Sequence, residues 1–264
     1  MRKGHAPPTS RLGGARPPRA YVWARNSLLI GLAVAALTQT NWPILAGYLD
    51  RLVSGLLVTL ALTACAIIGG ALIALPLAIW HLFGGKRVAV GLFCYSYAVR
   101  GTPLLLQLFL IYYGAGDLRP LLEEIGLWWL FRDPFFAAAI VFIINSSAYQ
   151  FEIYRGAIAA VPKGQWEGAA SLGLRKTIAF RKIILPQAAR LSLRPFGNEL
   201  IFAVKGSAIA SVITVYDLMG QTRLIFSRTY DFEVYFYAAT AYLVIVEAVR
   251  QVWDRIERRL SSPY

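Results

Sequence analysis

Long apolar runs set the rhythm of this chain. A helix needs about 20 mostly apolar residues to cross the hydrocarbon core of a bilayer, and four segments meet that measure: 53–82, 88–113, 135–160 and 232–253. A fifth, 196–216, is interrupted by Lys205 and Ser207, so it is expected to face protein or a pathway rather than lipid. A shorter run, "SLLIGLAVAALT" at 27–38, opens a stretch over 27–48 that reads as an extra N-terminal span. The pattern predicts an all-α integral membrane protein: a five-helix core over 49–258, preceded by the additional helix at 27–48 and followed by a short tail, 259–264.

The polar positions between the runs are not equivalent. Residues 84–87 carry Lys86 and Arg87 with no acid, and 161–194 carry seven basic residues against one acid, Glu167. The alternating segments are acidic by comparison: 114–133 hold Asp117, Glu123, Glu124 and Asp133 beside two arginines, and 217–233 hold Asp217, Asp231 and Glu233 beside two more. The positive-inside rule places the basic loops and the tail "RIERRL" in the cytoplasm, and Trp128, Trp129, Phe131, Phe135 and Phe136 at an outer-face aromatic belt. Residues 1–26 contain six lysines and arginines and no acid, an arm too rich in Pro, Gly and Arg to bury a core. If 27–48 spans, that arm is cytoplasmic as well, which suits its charge.

Composition then narrows the class. With 57% hydrophobic and 16% charged residues the chain is a membrane protein. Its net charge of +13 raises nucleic acid as a partner, but the basic residues sit between apolar runs too long for a soluble core, which argues against it. Cys65 and Cys94 lie inside apolar runs without zinc-like spacing, and His5 and His81 stand alone, so no metal site is indicated. There is no G-x4-G-K-[ST] phosphate loop; "GGKR" at 84–87 lacks the upstream glycine and the hydroxyl. With no catalytic dyad or triad, the chain does not read as an enzyme, no cofactor is called for, and any energy must come from a partner.

The basic segment "WEGAASLGLRKTIAFRKIILPQAAR" at 166–190 is amphipathic rather than spanning. It divides into a helix over 165–172 stopped by Gly173 and a second over 177–185 closed by Pro186. Phe180, Ile183 and Ile184 form an apolar stripe on the second. Such a helix can rest on anionic lipid, but the small residues of "EGAASLG" suit close approach by a protein.

Residues 167–186 resemble the "EAA" loop, E-A-A-x3-G-x9-I-x-L-P, of permease subunits of ATP-binding-cassette importers. Glu167, Ala169, Gly173, Ile183, Leu185 and Pro186 fall at the matching spacing, and Gly168 stands where the pattern has its first alanine. "YAVRGTPLLLQLFLIYYG" at 97–114 and "NSSAYQFEIYRGAIAAVPKGQWEGAASLG" at 145–173 resemble the importers of polar amino acids, the histidine/lysine/arginine/ornithine and opine types. The similarity covers about 41–258. It implies that 161–186 couples to ATP-binding-cassette ATPase subunits. A second permease subunit and a periplasmic substrate-binding protein would complete the assembly, embedded in lipid in the bacterial inner membrane.

Asn145, Tyr149 and Glu152 are spaced i, i+4, i+7 and share one helix face. In the resembled importers this region lines the cavity, so these three, with Gln150 next, are the cargo candidates. A carboxylate in a span is a functional candidate by default, although Glu152 can equally pair with Arg155. Arg100-Gly101-Thr102-Pro103 reads as a kinked joint in the second span, with Arg100 facing the cavity or holding a cytoplasmic gate. Lys205, in "KGSAIAS", suits a close interface near the pathway or a cargo carboxylate. A stand-alone secondary transporter or channel remains the alternative; it predicts inverted repeats and intramembrane ion ligands, and no repeat is visible.

Overall fold

The computed structural model of the protein describes Trp42–Ser261 and, upstream, only Trp23, Ser27 and Gly31. Nearly all of the expected arm over 1–26 and most of the expected span over 27–48 therefore lie outside the described residues. The last seven residues of that stretch begin helix α1, Trp42–Phe83, which runs unbroken through Asp50, Arg51 and the internal Pro76. This helix begins seven residues before the core boundary expected at 49.

The second expected span is two helices. α2, Lys86–Gly101, and α3, Leu104–Tyr112, meet at Thr102-Pro103, and α2 is bent by 98° from the stretch Leu104–Asp117 that α3 opens. Pro103 supplies no N–H and holds Thr102 extended, at φ −108° and ψ 142°, so the helix cannot continue. Short helical segments over 114–132 lead to α4, Pro134–Ala159, whose start is fixed by Asp133 accepting from the Phe135 N–H at 2.8 Å with Pro134 in the first turn. α5, Lys163–Ser171, precedes a long element: Lys176–Ala179, a π-helical turn Phe180–Ile184, α6 (Leu185–Gly206) and a 3-10 segment Ser207–Ile213. α7, Leu218–Thr229, and α8, Glu233–Ser261, complete the domain.

Among the described residues, 45–83, 134–159 and 176–213 are long and apolar enough to cross a membrane, and the bent pair over 86–117 makes a fourth crossing if it counts as one. α8 has the length, 29 residues, but Arg250 bonds Glu247 and Asp254 in its C-terminal half and interrupts its apolar stretch.

Pro186 does not close a helix, contrary to the sequence reading. The Leu185 N–H donates to the Phe180 carbonyl five residues back, the π register, and Pro186 then falls in the first turn of α6, where its missing N–H leaves no gap in the ladder. The second half of the basic segment, from Lys176, and most of the span expected at 196–216 therefore form one continuous helical rod over 176–213.

The core is built on α1 against α4. A side chain at Gly69 would collide with Ile143, and one at Gly70 would lie 2.6 Å from Gln150 Nε2, so these glycines let the helices close. Leu62, Ala66, Leu108, Val141, Phe142 and Ile213 pack around that contact. Asp217 ties α1, α7 and α8 together. It is fully buried, caps α7 at the Gly220 N–H (2.8 Å) and accepts from the Tyr242 hydroxyl (3.2 Å), while the Leu218 N–H donates to Thr59. Burial pushes its carboxyl above the usual carboxylate range, and the N–H and O–H donors oppose that rise. Counted in the sequence among the acids of the segment 217–233, Asp217 serves as a structural cap.

Candidate functional site

The α2–α3 break, the middle of α4 and the C-terminal half of α6 enclose a cavity of about 640 Å3. The break is stitched by Gln107, whose Nε2 donates to the Val99 carbonyl (2.6 Å), the Thr102 carbonyl (3.1 Å) and Thr102 Oγ1 (2.7 Å). Its Oε1 accepts from Asn145 Nδ2 at 3.0 Å, which anchors the bend to α4. Carbonyls freed by the break are thereby satisfied without water, as a membrane interior requires.

Arg100, Asn145, Tyr149 and Lys205 all line this cavity. Glu152 does not: it lines a second chamber of about 440 Å3 nearer α5, together with Arg100, Tyr149, Gly156, Leu191 and Pro195. Its carboxylate accepts from Arg155 Nε and Nη2 at 3.0 and 2.6 Å and from Ser96 Oγ at 3.0 Å, so the pairing with Arg155 is formed. Gln150 faces neither chamber. It is fully buried, donates to the Ile67 carbonyl on α1 at 3.1 Å and to Ser146 Oγ at 3.0 Å, and accepts from the Tyr154 hydroxyl. Its position one residue past Tyr149 turns it toward α1.

The residue that the sequence reading passed over is Glu199. It lines the central cavity from α6, is 8% exposed and accepts from Ser146 Oγ at 2.7 Å. Its signal was present: a carboxylate in an apolar helix, the same signal that drew attention to Glu152. The cavity thus holds one carboxylate, Glu199, and two cationic side chains, Arg100 and Lys205, on largely apolar walls, an arrangement able to meet the opposite charges of a small zwitterion.

At the second candidate element, the basic loop, Glu167 and Gly168 are exposed on α5 while Ala169 is buried. Gly173 has φ +69°, and the Leu174 and Gly173 N–H groups bond back to Ala169 and Ala170, a helix stop that only a residue tolerant of left-handed backbone supplies cheaply. Ile183 and Leu185 are half-buried against Ala157, Val161, Phe180, Ile184 and Ala188, which fasten the segment to the ends of α1 and α4; Pro186 is exposed. The loop is a basic projection packed onto the helix ends by this apolar cluster.

Residues 66–262 match the family described as binding-protein-dependent transport system inner membrane component. The chain belongs to that family. As a permease component of this kind it carries no ATPase, which resides on a separate subunit. This permease is 41% identical over 214 residues to the arginine ABC transporter permease protein ArtM of Escherichia coli K12, covering 80% of this chain and 95% of the relative. It is 42% identical over 159 residues to the nopaline transport system permease protein NocM of Agrobacterium fabrum, 60% of this chain and 66% of that one. Among solved structures it resembles an amino acid ABC transporter crystallised with histidines, at a TM-score of 0.74 and 38% identity over 83% of this chain and 99% of that one. The inward-facing MetNI methionine transporter, at TM-score 0.69 and 19% identity over 81% and 98% of the two chains, shares the fold.

Proposed function

We propose that this permease carries a basic amino acid, or an opine built on one, through the central cavity and across the bacterial inner membrane. The observation that carries the reading is Glu199: a carboxylate buried in the cavity wall with Arg100 and Lys205 on the same cavity, so that cargo ammonium or guanidinium and cargo carboxylate each meet an opposite charge. The names of the relatives, arginine and nopaline permeases, support the same class. Two ATP-binding-cassette subunits grip 163–186, with Glu167 and Gly168 on the exposed face of α5. A second permease subunit completes the pathway, and a periplasmic binding protein delivers cargo at the opposite end. ATP-driven closure of the ATPases moves the rod over 176–213, because the second half of the coupling loop and the cavity wall bearing Glu199 lie on that one rod.

The test is uptake of labelled arginine, lysine, histidine, ornithine and octopine into proteoliposomes holding the permease with its ATPase and binding protein. Uptake of at least one of these, abolished by a hydrolysis-dead ATPase, is expected. Uptake that continues with the dead ATPase points to a stand-alone carrier, and with labelled glutamate and leucine run alongside, uptake of these two alone overturns the cargo assignment.

A further inference from the structure

The central cavity and the second, more open chamber share two lining side chains. Arg100, at the end of α2, and Tyr149, on α4, line both. The Arg100 guanidinium lies 5.2 Å from the Tyr149 ring centroid, over its face, and its Nη1 stands 3.9 Å from Glu152 Oε2. The first contact is a cation–π interaction in range; the second is too long for a hydrogen bond.

Glu152 has no need of Arg100. Arg155 and Ser96 already give its carboxylate three hydrogen bonds, so withdrawing Arg100 leaves no bare buried charge. The Arg100 side chain is itself 41% exposed and sits beside Gly101-Thr102-Pro103, where the backbone turns. It is a cation held loosely at the wall between two chambers, and a free carboxylate arriving in the central cavity offers it a two-pronged hydrogen bond that Glu152 does not.

We propose that Arg100 is a movable partition between the two chambers, and that the carboxylate of bound cargo draws it off Glu152 and so opens the way inward. This rests on the transport reading above and adds to it a gate and a rule of selection. Cargo with a carboxylate opens the partition; the corresponding decarboxylated amine, which still satisfies Glu199, does not.

A reporter cysteine at Ala203, a central-cavity position, tests the partition in the assembled complex with Cys65 and Cys94 replaced by alanine. Labelling by a membrane-impermeant maleimide is followed from the coupling-loop side. Arg100→Ala is expected to speed labelling about tenfold, and Tyr149→Leu, which removes the ring but leaves the Glu152 cluster, by a smaller factor. In the unsubstituted gate, saturating arginine accelerates labelling and agmatine does not. Equal rates for the parent and both variants overturn the partition, and equal responses to arginine and agmatine overturn the carboxylate rule. ATP-driven uptake measured on the same vesicles separates the two readings. Absent uptake in the parent sinks the transport assignment, whereas intact uptake with labelling indifferent to Arg100 sinks the partition alone.

Discussion

Glu152 and Glu199 look alike in the sequence, each a carboxylate in an otherwise apolar helix, yet their surroundings assign them opposite work. Glu152 is saturated: Arg155 and Ser96 give it three hydrogen bonds and Arg100 lies nearby. Glu199 is more buried, accepts one bond from Ser146, and opens onto the larger cavity. A charge already answered inside the chain has little left for a ligand, so position in a span nominates a carboxylate and its partners decide what it does. A third acid, Glu167, extends the contrast. It is exposed on α5, outside both chambers, where its charge is available to a partner.

The largest effect is expected at that exposed acid. Glu167→Lys should reduce uptake to background while the protein inserts and assembles in normal amount, because charge reversal acts on docking of the ATPase and touches nothing inside the fold. Uptake at the parental rate would detach the loop from coupling. Next comes the pair itself. Glu199→Gln should lower the uptake rate at limiting cargo by about 10- to 100-fold, the worth of one charged hydrogen bond. Glu152→Gln should change it by less than about fivefold, since the cations it releases, Arg155 and Arg100, are 42% and 41% exposed and hydrated. Equal losses at the two positions would erase the distinction between them.

A smaller effect sharpens the boundary between cargo contact and scaffold. Gln150 donates to Ser146, which in turn donates to Glu199, so Gln150 reaches the cavity only through a neighbour. Gln150→Leu should cost about 1–3 kcal/mol of stability by stranding the Tyr154 hydroxyl and removing the side-chain tie to α1 at Ile67. It should lower the amount of folded complex more than the apparent affinity for cargo. A change in affinity matching that of Glu199→Gln, with normal thermal stability, would return Gln150 to the pathway.

Much of this architecture was legible in the chain. The long runs, the break at Arg100-Gly101-Thr102-Pro103 and the stop at Gly173 follow from hydropathy and from the backbone limits of proline and glycine, which are local properties. What was not legible depends on contacts across the fold. Pro186 reads as a terminator until the π turn before it shifts the hydrogen-bond register. Asp217 reads as a surface acid until Tyr242, 25 residues later, closes over it. Gln150 and Glu199 exchanged places as cavity candidates because periodicity on α4 gives a face but not which neighbour, α1 or α6, that face meets.

The smallest expected effects lie in the loop, where two glycines five residues apart should answer the same substitution with opposite signs. Around Gly168 there is open space, and it sits within α5. Alanine there meets no clash and should steady the helix by up to about 1 kcal/mol, since glycine is the weaker helix former. At Gly173 there is also open space, but φ is +69°, so alanine pays roughly 1 kcal/mol for the left-handed backbone and loosens the turn that aims α5. Amide exchange over 163–174 should therefore slow in Gly168→Ala and quicken in Gly173→Ala. Only the second should weaken ATPase docking, because a steadier α5 keeps Glu167 where it is and a looser turn does not. Matching shifts in the two variants would mean that the loop's rigidity comes from its packing against Phe180 and Ile184 rather than from the turn.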